Sequence, residues 1–341
     1  MSNPPRALRW PWQARASHGR LAVMSEPGRF SFAQADAAGR LRAAGVLAGA
    51  PQARDLQRQL RTPHAAARDT VAVLPLADAQ LLAVEAPAVK PEELKAAARW
   101  RIKDLVDEPL DELTIDVMHV GDQRPRPNRQ VFVAATRTDR IRELSERTRN
   151  AGLDLAVVDM AETTQRNLQC ALARATGLAQ RATAALVRHG NQCLLTLCAD
   201  DELFFARRLE WEALPQLSAQ ATTPAAADPA LENLDFVDYG AEAEGGDNDG
   251  SAPRLVVELQ RSMDVWERSW PDLPLAAVWV QLGDDSAAWA ELMATALGRP
   301  VSVLDLEQLF PGLQALVPDA AERELLLPVL GGLLRSETRL I

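Results

Sequence analysis

The stretch Thr183-Ala184-Ala185-Leu186-Val187-Arg188-His189-Gly190-Asn191-Gln192-Cys193-Leu194-Leu195-Thr196-Leu197-Cys198 decides the fold. Two apolar runs meet at Gly190-Asn191, a pair suited to a tight turn. A third run, residues 202–209, follows Asp200-Asp201. Three consecutive strands are therefore expected near 183–189, 192–198 and 202–209. The same grammar occurs near the start. Arg20–Met24 and Arg29–Ala33 flank the turn Glu26-Pro27-Gly28 and read as a hairpin.

Working outward, both hairpin blocks lead into strand and helix units. Strands are expected at Thr70–Leu76, Gln80–Ala86, Leu113–Val120, Gln130–Thr136, Leu155–Val158, Leu275–Gln281 and Val301–Leu304. Helices are expected over 51–61, 138–151, 161–176, 254–270, 286–297 and 322–334, the last disturbed by Pro328. Pro91 opens a further helix, as proline can at the first helical position. Its stripe Leu94, Ala98, Ile102 and Leu105 points inward, leaving Arg99, Arg101 and Lys103 off that stripe. The pattern is α/β, two similar halves, each opening on antiparallel strands. Residues 1–68 start the first lobe, 69–137 form an inserted αβ subdomain, 138–180 complete the lobe, and 181–341 form the second. Residues 218–253, rich in Ala, Pro, Gly and acids, read as a flexible insertion. The loop 121–129, rich in Pro and Arg, reads as exposed.

Composition narrows the function classes. The chain has 341 residues, 37 Lys and Arg against 47 Asp and Glu, and a net charge of −10. That balance speaks against nucleic acid as a partner, which requires a cationic surplus. Residues 1–68 are the exception, with eleven Arg against Glu26, Asp36 and Asp55. With Trp10 and Trp12, they suggest that residues 1–20 make a weak contact with an anionic membrane surface. No apolar run reaches the about 20 residues that cross a bilayer, so a cytoplasmic protein is expected.

The simplest catalytic signatures are missing. None of Lys90, Lys95 and Lys103 follows a glycine, so there is no P-loop. No GxGxxG or GxSxG occurs. Cys193 and Cys198, five residues apart on one strand, point to opposite faces, so with His189 they read as core residues and not as metal ligands. No metal site is expected.

Several segments in order resemble the PilM and MshI pilus-assembly proteins, which have an actin-like two-lobed fold. They are Leu94-Lys95-Ala96-Ala97-Ala98-Arg99-Trp100-Arg101-Ile102-Lys103-Asp104-Leu105-Val106, Ile115-Asp116, Val133-Ala134-Ala135-Thr136, Ala151-Gly152-Leu153 with Val157-Val158-Asp159, Glu258–Asp264, and Ala277-Val278-Trp279 through Leu304-Asp305. Within the first, Trp100-Arg101-Ile102-Lys103-Asp104-Leu105-Val106 resembles the branch serving mannose-sensitive (MSHA) pili. The resemblance implies a scaffold at the inner membrane. Its partner would be the cytoplasmic tail of a bitopic protein of the PilN or MshJ kind, with Arg99 and Trp100 as partner-binding residues. It also implies an ATP cleft built from two phosphate hairpins and an adenosine turn. Here that cleft is degenerate. Val23-Met24-Ser25-Glu26-Pro27-Gly28 lacks the metal-organising aspartate, and Pro27 has no N–H. Val187-Arg188-His189-Gly190 replaces the second Asp-x-Gly, and Gly283-Asp284-Asp285-Ser286 replaces a run of glycines. What remains for a nucleotide is Gly190, Asn191, Gly283 and Ser286. The expectation is a pseudo-ATPase with no cofactor. The alternatives are residual ATP binding with Arg188 on a phosphate, an active actin-like ATPase, and a GspL-like component of type II secretion.

Overall fold

The computed structural model describes residues 19–49, 51–59, 70–121, 129–153, 155–213 and 252–336. The membrane-contact expectation for residues 1–20 and the insertion expected over 218–253 lie almost wholly outside the described residues, as does most of the 121–129 loop.

The first lobe holds β1 (Arg20–Glu26), β2 (Arg29–Ala35), β3 (Leu41–Ala48), α1 (Ala53–Gln59) and β4 (Thr70–Leu74). The chain then leaves for a small three-stranded unit. This comprises β5 (Ala79–Glu85), α2 (Leu94–Arg101), β6 (Leu113–His119) and β7 (Gln130–Arg137). It returns through α3 (Thr138–Asn150), β8 (Leu155–Met160) and α4 (Ala161–Ala175). The second lobe repeats the plan with β9 (Ala182–His189), β10 (Gln192–Ala199), β11 (Glu202–Glu210), α5 (Arg254–Ser269), β12 (Leu275–Gln281), α6 (Ser286–Leu297) and β13 (Val301–Val303). Four short helices close the chain: α7 (Leu306–Leu309), α8 (Leu313–Leu316), α9 (Ala320–Leu325) and α10 (Leu327–Leu333).

The two large sheets share one topology. Their strand orders are β3-β2-β1-β4-β8 and β11-β10-β9-β12-β13. In each, the first three strands are antiparallel and the next two add in parallel. The tight turns follow from their residues. Gly28 and Gly190 take φ of +78° and +66°, and Asp200 and Asp201 take +51° and +65°, a left-handed pair that closes a two-residue hairpin.

Between the sheets lie α4 and α10. Nearly all of α4 is buried, including its polar side chains. Gln165 Nε2 donates to the Ala185 and Leu194 carbonyls at 3.0 and 2.9 Å, and Gln169 Nε2 donates to the Thr183 carbonyl at 2.8 Å. These bonds satisfy amides that would otherwise be buried unpaired. Gly331 lets α10 cross α4 closely, since a Cβ there would stand 2.1 Å from the Thr164 oxygen.

Four details differ from the sequence reading. Leu41–Ala48 is a strand, although its Ala- and Gly-rich sequence is poor in β-formers; pairing with β2 over seven registered positions imposes it. The helix after Pro91 ends at Arg101, so Leu105 leaves the inward stripe and is 41% exposed. The helix expected over 322–334 is two helices, with Pro328 in the first turn of the second, where its missing N–H costs nothing. Leu306–Leu309 and Leu313–Leu316 are short turns of helix that no sequence pattern signals. Cys193 and Cys198 do point to opposite faces, each into a different apolar cluster.

Candidate functional site

A cleft of about 530 Å³ opens between the lobes. The β1–β2 turn, the β9–β10 turn and the turn after β12 all reach it, so Gly190, Asn191 and Gly283 share one wall system. Ser286 does not line the cleft. Its hydroxyl is buried and works inside its own turn, accepting from Leu282 N at 2.8 Å and donating to the Gly283 carbonyl at 2.5 Å.

The charged groups of the cleft are engaged with one another. Glu26 accepts from Arg29 Nε and Nη2 at 2.6 and 2.8 Å, a bidentate pair. Arg188 donates from Nε to the Gly190 carbonyl at 2.9 Å and lies 4.3 Å over the Trp211 ring. Gly283, at φ +80°, sits so close that a Cβ would meet Arg188 Nη1 at 3.3 Å and Glu324 Oε2 at 3.5 Å. The side chains of Arg188 and Glu324 therefore crowd this turn. Burial pushes the Glu324 carboxyl up; Arg188 opposes that shift and Asp284 adds to it. His189, half-buried behind the turn, has its pKa pushed down to about 4 by burial, with the Arg208 charge acting in the same sense.

A magnesium nucleotide is a poor match for this donor set. A magnesium ion needs oxygen ligands held in octahedral geometry, usually one or two carboxylates plus phosphates. Among the described residues no three His, Cys, Asp or Glu side chains cluster as metal ligands. The carboxylate of the first hairpin is occupied by Arg29.

A second concavity, about 370 Å³ and largely apolar, lies between the small unit and the first lobe. One wall is Thr114, Asp116 and Met118 of β6 with Ala134 of β7; the other is Val158 of β8 and Ile141 of α3. Both β6 and β8 are the outermost strands of their sheets. Asp159, beside Val158, is held by Arg335 Nη1 at 2.8 Å. No single motif spells out this groove, because its walls come from seven elements and Arg335. Arg99 and Trp100 are not in it. Alternation along β6 and β7 turns Ile115, Val117, Val131 and Val133 toward α2, and Asp116, Met118 and Ala134 toward the groove. Arg99 donates to the Leu110 carbonyl, and Trp100 is 69% exposed on the far side of α2.

The duplicated sheets, the helix pair between them and the interlobe cleft define an actin-like two-lobed protein. Residues 53–212 match the family model of the type IV pilus assembly protein PilM, which this chain resembles over that stretch. Among solved structures, the chain is similar to one described as a PilM–PilN type IV pilus biogenesis complex. Identity is 16% and the TM-score 0.63, with 94% of this chain and 99% of that one covered. The cytoplasmic domain of EpsL of the type II secretion system of Vibrio cholerae is similar at 14% identity and TM-score 0.40, covering 56% and 71%. A Bacteroides thetaiotaomicron protein with an actin-like ATPase fold and unknown function is similar at 7% identity and TM-score 0.45, covering 86% and 95%. No curated protein matches the sequence. Among the described residues no helix is long and apolar enough to cross a membrane.

Proposed function

We propose that the protein is a scaffold of a type IV pilus assembly platform that holds the cytoplasmic tail of a bitopic, PilN-type inner-membrane protein. The observation that carries the reading is the apolar groove walled by two edge strands, β6 and β8. An edge strand offers unpaired backbone donors and acceptors, and an extended peptide can add to it as a further strand. Alternate side chains of such a peptide would then meet Met118, Ala134, Ile141 and Val158. Held in this way by a membrane-anchored tail, the protein would work at the cytoplasmic face of the inner membrane. The finer assignment to an MSHA-type pilus, with an MshJ-like partner, rests on the resemblance of Trp100–Val106 alone.

The same reading makes the interlobe cleft a pseudo-ATPase site. Its support is the Glu26–Arg29 pair and the crowding of Gly283 by Arg188 and Glu324. Residual binding through Gly190, Asn191 and Gly283 without magnesium is the variant of this reading to be tested beside it.

Calorimetric titration with a synthetic PilN-type N-terminal tail tests the scaffold function. Saturable one-to-one binding is expected, and no binding would refute it. Melting curves with millimolar ATP, with and without magnesium, test the cleft. A ligand that binds only the native state raises Tm, so an unchanged Tm is expected and a saturable rise would restore a nucleotide function.

A further inference from the structure

α2 buries Leu94, Ala98 and Ile102 against the small sheet. The opposite side of the helix carries Ala96 and Trp100, and Glu93 and Lys103 stand one residue before its first residue and two after its last, so the four follow one another at spacings of three, four and three. All four are exposed. Trp100, at 69%, is the most exposed large apolar side chain among the described residues, and Val89 and Leu105, each 41% exposed, belong to the segments flanking the helix. An indole this exposed, apolar in its body and polar at one edge, is suited to anchor an interaction face. The charged neighbours Lys95 and Arg99 are tied to their own unit, to Asp116 at 3.1 Å and to the Leu110 carbonyl.

The ridge is a palindrome in chemistry. Acid, small, aromatic, base, read from one end, complements itself read from the other. We propose that this face pairs with the same face of a second copy, the two α2 helices running antiparallel about a two-fold axis near Ala98. Each Trp100 then rests on the shelf left by Ala96 of the other copy, and each Glu93 meets Lys103. A two-fold contact requires one self-complementary patch on both copies, and this ridge satisfies that requirement at every position. A partner of a single charge sign would satisfy only one end. The indole supplies the desolvated anchor that such contacts concentrate their energy in. One helix pair buries little area, so the association is weak, with Kd at or above about 1 µM.

The self-pairing face and the peptide groove lie on opposite sides of the small sheet, so the two can be tested separately. Sedimentation equilibrium of the full chain over a range of concentrations is the measurement. The native protein is expected to self-associate, and Trp100→Ala to weaken this by about tenfold or more. Glu93→Lys and Lys103→Glu each place like charges together at both ends and are expected to weaken it by about tenfold. Mixed in equal amounts, the two charge variants are expected to associate with one another, since every contact between positions 93 and 103 in the mixed pair sets a lysine against a glutamate. All these positions are exposed, and circular dichroism of each variant is the check that it is folded. A native protein that stays monomeric at every concentration overturns the proposal. So does a Trp100→Ala protein that associates like the native one, or a mixture of charge variants that stays apart. Loss of tail-peptide binding in Trp100→Ala would assign the indole to the peptide instead and would equally overturn it.

Discussion

Arg208 Nη2 stands 2.6 Å from Glu162 Oε1, and the same guanidinium donates to the carbonyls of Leu76 and Ala79 at 2.8 and 2.5 Å. One side chain on the second lobe's β11 therefore grips the start of the central helix and the corner where the small unit leaves the first lobe. Gly121 N, donating to the Leu203 carbonyl at 2.8 Å, ties the small unit to the second lobe from the other side. Glu322 Oε1 reaches the backbone of β3, accepting from Val46 N at 2.9 Å. Contacts within the protein thus hold the lobes together across the cleft.

Arg208→Met should be costly. Glu162 is 2% exposed, and removing the partner of a buried charge costs about 3 kcal/mol or more. The carboxyl is already pushed up by burial, with Arg208 the main opposing influence. Without Arg208 it rises further. A raised carboxyl pKa means that the folded state holds the proton more tightly, so its stabilising contribution is fully present below the ordinary value of 4.5 and is lost as pH rises through the folded pKa. The variant's deficit in urea unfolding should therefore be largest near neutral pH and shrink as the pH is lowered toward 4.5. A deficit independent of pH would show that Glu162 is not the group left exposed to this cost.

His189 gives the opposite slope. Its pKa falls from 6.5 to about 4 in the folded protein. The folded state binds the proton more weakly, so the contribution is present above 6.5 and is lost as pH falls through about 4. About 3 kcal/mol of unfolding free energy should disappear over that window. His189→Gln, which cannot ionise, should flatten this part of the stability curve.

The three cysteines, Cys170, Cys193 and Cys198, are free and buried. Burial pushes Cys193 up to about 12 and Cys198 well above its ordinary value. Thiolate is the reactive species, so a thiol reagent at pH 8 should label the native protein negligibly and label three groups after denaturation. Fast labelling of any cysteine in the native state would contradict this packing.

Gly331→Ala should destabilise by about 1–3 kcal/mol, because a methyl group cannot fit between α10 and the Thr164 carbonyl of α4 without displacing one helix. Thermal unfolding reads this directly. A neutral effect would mean that the helices separate more easily than their burial implies.

The parts of the fold that local chemistry specifies are legible in the sequence. The strands about Gly190-Asn191 and Asp200-Asp201 announce themselves by their turns, and α2 by Pro91 and the spacing of Leu94, Ala98 and Ile102. Leu41–Ala48 is not legible, because its strand state comes from β2 and from Glu322, which is far away in sequence. The cleft is legible through its glycines. The filling of the cleft is not, since Arg188 and Glu324 are 136 residues apart and only the tertiary fold sets them against Gly283. The groove is tertiary: Ile115-Asp116, Val133–Thr136 and Val157–Asp159 carry the family resemblance one by one, but only the fold sets them around one concavity.

The groove yields the last prediction. Met118 is half-buried on β6 and faces the concavity, so Met118→Glu sets a carboxylate among Ala134, Ile141 and Val158. Without an extended peptide in place, the new carboxylate can turn to solvent from its edge strand, and the loss of stability should stay under about 1 kcal/mol. With a peptide seated, the charge would have to be buried unpaired, which is costly. Affinity for a PilN-type tail should therefore fall by about tenfold or more, while the melting temperature moves little. Met118→Leu, which keeps the apolar wall and nearly the volume, should bind like the native protein. Equal binding by Met118→Glu and the native protein would remove the groove from the partner interface, even if the tail still binds elsewhere on the molecule.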